Sequence, residues 1–135
     1  MLGEMIGEFK GKITGYRVLP SEGMALKVET SVQMSGKLLG VDATNLVTYL
    51  SVMRPGGELY GEGQGVIMTK DGENLTWIGH GVGRFTGRGS AVSFRGDNYL
   101  QTASAKLARL NSVAVVFEYE ADENGNTHSK LWEWK

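Results

Sequence analysis

The sequence predicts an all-β chain of eight short strands, joined by sequential hairpins and closed as an antiparallel up-and-down barrel. Three observations lead there. Segments in which apolar and polar residues alternate recur with turn residues between them, the pattern of an antiparallel barrel or sandwich. Six glycines stand at period two, Gly61, Gly63 and Gly65 before the turn Lys70-Asp71-Gly72 and Gly79, Gly81 and Gly83 after it. The chain has 135 residues and no cysteine, so it fits a single domain, residues 1–135, whose core holds without disulfides.

The elements follow in order. Glu8 to Leu19 reads as a first strand containing Gly11 and Gly15, ended by Pro20-Ser21-Glu22-Gly23. From Met24 to Met34, Met24, Leu26, Val28, Val32 and Met34 alternate with Lys27, Glu29, Ser31 and Gln33, giving one core face and one solvent face. Ala43 to Met53 is bounded by Pro55-Gly56-Gly57, and the glycine hairpin comes next. Ala91 to Gln101 follows the turn around Gly87 and Gly89, with Val92, Phe94 and Leu100 on one face. Ser104 to Leu110 breaks the alternation. Ala103, Leu107 and Leu110 have helical spacing and Ser104 can cap, which predicts a short helix near residues 104–110, set over one end of the barrel or simply joining two strands outside it. Ser112 to Ala121 and Thr127 to Trp134 form a last hairpin around Asp122-Glu123-Asn124-Gly125-Asn126.

Register decides whether the six glycines share a face. A three-residue loop closed by Gly72 in the left-handed conformation pairs Thr69 with Glu73, Gly61 with Gly81 and Gly63 with Gly79, and sets Trp77 opposite Gly65. A five-residue loop pairs the six glycines with one another. A two-residue Asp71-Gly72 turn slips one triplet to the other face. Either longer loop gathers Leu59, Ile67, Leu75, Trp77 and Phe85 around the glycines and leaves Tyr60, Glu62, Gln64, His80 and Arg84 on the opposite face. The slipped register mixes these sets, so the glycine face is the inner one.

Composition excludes several classes of function. Lys and Arg number 14 against 15 Asp and Glu, with no basic run, which disfavours nucleic-acid binding through phosphate contacts. The first twelve residues carry Glu4, Glu8 and Lys10 and no apolar stretch of signal or membrane-span length, so no membrane association is expected and the chain reads as soluble and cytoplasmic. Without cysteine there is no thiolate nucleophile or thiolate metal site. Two histidines without ligand spacing give no metal site, and no cofactor is implied. The run Gly61 to Gly65 leads into a strand, where a phosphate-binding loop would lead into a helix. No serine occupies a strand-to-helix elbow.

The bare glycine face has two explanations. Glycine lets strands coil sharply and receive large side chains from the far wall, with Phe117 and Tyr119 as fillers. Alternatively the missing side chains leave a cavity on the order of a few hundred cubic ångströms, walled by Leu59, Ile67, Trp77, Phe85, Phe117 and Tyr119 and suited to a small apolar or aromatic ligand. On the polar face, Glu62, His80 and Arg84 are close enough across the hairpin to act as acid–base groups if that face turns inward, or to be a solvated set if it does not. Trp132 and Trp134 share a face and suit packing against the barrel or a second subunit, so a homo-oligomer is expected.

The stretch Gly81-Val82-Gly83-Arg84-Phe85-Thr86-Gly87, within Gly79 to Gly96, is similar to the glycine-rich segment of small calycin-like barrels of the allene oxide cyclase-like and dirigent-like group. The whole chain also looks like a compact family of conserved proteins without an assigned role. The resemblance implies a calycin-like barrel with a hydrophobic cavity, a polar group steering a cyclisation, and often a trimer. That group's functional residues are matched to no position of this chain. Three functions therefore stand side by side: a binder of a small apolar or aromatic molecule that is not an enzyme; an isomerase or cyclase using Glu62, His80 or Arg84; and an oligomeric structural protein with no ligand.

Overall fold

The computed structural model describes residues 1–135. Eight strands follow in chain order: β1 (Leu2–Val18), β2 (Lys27–Leu38), β3 (Val41–Met53), β4 (Leu59–Thr69), β5 (Asn74–Phe85), β6 (Val92–Gln101), β7 (Ala114–Ala121) and β8 (Asn126–Trp134). Each pairs antiparallel with the next, and β8 returns to β1, closing an all-β barrel. Closure leaves no free edge strand, because each strand has a paired neighbour on both sides. No helix is long and apolar enough to cross a membrane.

The β4–β5 hairpin has the three-residue loop. Thr69 N–H bonds the Glu73 carbonyl at 2.9 Å, Gly72 sits at φ 86°, and Gly61 faces Gly81, Gly63 faces Gly79 and Gly65 faces Trp77. The glycines line the inside, between the buried Leu59, Ile67 and Leu75. Strands come so close elsewhere that no β-carbon fits: at Gly36 it would overlap the carbonyl oxygen of Glu8, and at Gly96 that of His80.

Two strand starts differ from expectation by more than two residues. β1 starts at Leu2, six residues before Glu8, and shifts register against β8 near Met5 and against β2 between Ile13 and Gly15. These irregularities bend a 17-residue strand around the barrel. β2 begins only at Lys27, because Gly23 (φ 69°) and Met24 (φ 60°) turn the chain through a short 3₁₀ segment, Glu22–Met24. Met24 and Leu26 keep the parity of the core face yet lie outside it, Met24 being 96% exposed.

The expected helix at 104–110 is also revised. Seven residues are too few to offset helix nucleation without further support. The segment instead forms turns and a 3₁₀ stretch, Ala108–Ser112, whose preceding cap is Leu107 and not Ser104. The Asn111 side chain pins it to the end of β6, accepting from Thr102 N–H at 2.8 Å and donating to the Thr102 carbonyl at 3.0 Å. Leu107 and Leu110 are buried in the main core cluster with Ile6, Phe9, Leu38, Ile67 and Leu75. The connection is therefore a plug over one end of the barrel and not a plain connector outside it.

The interior forms two apolar clusters. The larger fills the plugged end, and the smaller, with Leu59, Val92, Phe94, Tyr119 and Ala121, fills the other. Tyr49 and Phe117 pack against both and mark the middle of the barrel.

Candidate functional site

Between the two clusters lies a cavity of about 70 Å³. Its glycine wall consists of Gly61, Gly63, Gly79 and Gly81, and its aromatic wall of Tyr49, Trp77, Phe94, Phe117 and Tyr119. The space is smaller than the glycines suggest because side chains from other positions occupy most of what they leave open. The Phe94 ring covers Gly61 and Gly83, the Tyr49 β-carbon stands 3.0 Å from a β-carbon built on Gly63, and the Phe117 ring stands 3.0 Å from one on Gly81. The Trp77 indole covers Gly65, and the Asn98 carboxamide takes the place beside Gly79. Architecture accounts for most of the glycine face. The few hundred cubic ångströms expected of it shrink to a volume that exceeds the need of one water and falls well below that of a drug-sized ligand.

Polar groups are set into this wall at chosen points. The Trp77 indole N–H donates to the carboxamide oxygen of Asn45 at 3.1 Å, orienting the ring over Gly65. The hydroxyls of Tyr49 and Tyr119 meet at 3.3 Å across the interior, with their rings edge-on at 5.4 Å between centroids. Burial holds both phenols above the usual tyrosine range, Tyr119 the more strongly, and the neighbouring Tyr49 pushes it the same way. Asn98 and Ser129 add to the polar lining, and Glu62 and His80, exposed on the outer wall, also border the space.

Of the six residues expected to wall a cavity, Trp77, Phe117 and Tyr119 line this one. Leu59 and Ile67 are buried on the same inner face, but in the smaller and larger clusters respectively. Phe85 is 39% exposed: it is the last residue of β5, where the strand has run past the packed interior. Inward parity does not reveal where a barrel ends. Glu62, His80 and Arg84 are all exposed on the outer wall. Glu62 and His80 oppose each other in register, and His80 Nδ1 lies 3.4 Å from Asp97, which also accepts the His80 backbone N–H at 3.1 Å. Histidine and carboxylate do meet, but on the convex side.

Among the lining residues that had no place in the expected wall are Asn45, Tyr49, Phe94 and Asn98. Their signal is parity. Asn45 and Tyr49 alternate in step with Ala43 and Val47, and Asn98 in step with Phe94 and Leu100, so each asparagine is a polar residue on an apolar face.

No protein-family model and no curated protein sequence matches the chain. Solved structures do share its fold. A conserved protein of unknown function from Rhodopseudomonas palustris superposes with TM-score 0.82 at 14% identity, covering 98% of this chain and 97% of its own. A β-barrel-like protein from Acinetobacter baumannii AYE gives 0.83 at 12% identity, covering 100% and 96%. An enzyme from Penicillium herquei gives 0.64 at 16% identity, covering 98% and 96%. The chain is thus an eight-stranded barrel similar to conserved barrel proteins without an assigned function.

Proposed function

We propose that residues 1–135 act as one barrel domain that binds a single small apolar or aromatic molecule between the two core clusters. The observation that carries this is the cavity of about 70 Å³ with its aromatic wall, retained at the centre of an otherwise filled interior. An engineered apolar cavity of about 150 Å³ takes benzene. The smaller space here suits a five-membered ring or a short branched chain. Titrating furan into isotopically labelled protein tests this directly: saturable shifts of the Val47 and Leu131 methyl signals are expected. Methyl signals that stay put at saturating furan overturn it.

The isomerase or cyclase alternative, and with it kinship to the allene oxide cyclase-like group, has less support. Glu62, His80 and Arg84 project from the outer wall, so acid–base chemistry inside the barrel would fall to other groups. Self-association keeps one observation of its own. Trp134 (60% exposed) pairs in register with Leu2, and Trp132 with Met5, forming an apolar strip on the outside of the β1–β8 wall. A second copy covering that strip predicts a dimer or larger species in sedimentation, and a monomer at all concentrations counts against it.

A further inference from the structure

We infer that the cavity is built for a ligand carrying an N–H or O–H group, and that Asn98 receives it. This rests on the ligand-binding function proposed above and adds the chemistry of the ligand. Asn98 is 6% exposed, on the inner face of β6, and lines the cavity. Its carboxamide oxygen has no hydrogen-bond partner in the protein and is packed beside Gly79, covered from the cavity, so a half-turn of the carboxamide is what presents it to an occupant. A buried acceptor left unmade is costly, and native interiors supply partners for nearly all of them. The other carboxamide of the wall shows the contrast, because the Asn45 oxygen accepts from the Trp77 indole. Two polar groups set in one aromatic cage, one satisfied from within and one not, describe a site that fixes its own walls and leaves an acceptor for the occupant. The occupant is then a small ring or chain, apolar over most of its surface, with one donor turned to β6.

Pyrrole and furan separate the two levels of the proposal, being five-membered rings of nearly equal size of which pyrrole alone carries N–H. Pyrrole is expected to bind wild-type protein about tenfold more tightly than furan, the effect of one net hydrogen bond, and to shift the Asn98 side-chain amide signals. In Asn98→Leu, which keeps side-chain shape, the preference is expected to vanish while furan still binds. Equal affinity of the two rings for the wild type, or a preference for furan, overturns the role of Asn98 and leaves ligand binding intact. If neither ring binds, both proposals fall and the cavity holds water only. Should Asn98→Leu fail to fold, the wild-type affinity ratio and the Asn98 amide shift decide the matter alone.

Discussion

The carboxamide oxygen of Asn98 occupies the position that a β-carbon on Gly79 would need. The two residues face each other in register across β5 and β6, so the missing side chain of one makes room for the polar head of the other. Gly79→Ala must push that head away against a backbone that cannot yield, because the Asp97 carbonyl oxygen would also lie 2.6 Å from the new carbon. A loss of about 1–3 kcal/mol, the usual cost of overpacking, is expected in urea unfolding. Gly15→Ala is the matched control: nothing lies within 4 Å of its added carbon, and its stability should stay within about 0.5 kcal/mol of wild type. Equal effects of the two substitutions would show that Gly79 is not held by Asn98.

Much of this arrangement is legible in the sequence, and the limit of legibility has a physical cause. Period-two glycines and the Lys70-Asp71-Gly72 turn are local features, and they suffice for the hairpin and its inward face, though not for the choice between the three- and five-residue loops. The closed barrel likewise follows from alternating segments joined by short turns. What parity cannot supply is reach. Phe94, which covers Gly61 and Gly83, lies on β6, and Tyr49, which covers Gly63, lies on β3. How deep these rings extend depends on strand tilt and closure, which are properties of all eight strands together. The same limit explains Phe85, correctly placed on the inner side yet beyond the packed end of the barrel, and Met24, whose parity persists into a turn.

The hydroxyl contact between Tyr49 and Tyr119 predicts how the protein responds to alkali. Burial raises both phenol pKa values, so the folded state keeps these protons where an unfolded chain releases them, near pH 10. The contribution is whole below that pH and is lost as pH rises above it, because the unfolded chain then binds fewer protons than the folded one. Stability should therefore fall above about pH 10, by at most about 1.4 kcal/mol per pH unit for each tyrosine. Absorbance at 295 nm should leave two of the five tyrosines un-ionised until the protein unfolds. Tyr119→Phe, which keeps the ring, should lower the number to one and flatten the decline. Full ionisation of all five in the folded protein would mean that this pair is open to solvent.

The plug formed by Leu107 and Leu110 predicts that a segment outside the sheet carries as much of the core as a strand does. Leu110 is fully buried against the end of the barrel, although only a 3₁₀ turn presents it. The turn cannot follow a shrinking side chain inward, because the Asn111 carboxamide ties it to both backbone groups of Thr102. Leu110→Ala should accordingly leave a cavity and cost about 2–5 kcal/mol, as truncations in rigid cores do. Leu26→Ala removes the same atoms from a site 38% exposed beside the Gly23–Met24 turn, and should cost far less. Urea midpoints of the two variants provide the measurement. A mild effect at Leu110 would make the segment a loose connector, and Asn111→Ala should then be mild as well; a large loss at both positions would establish that the end of the barrel is closed by a fixed plug.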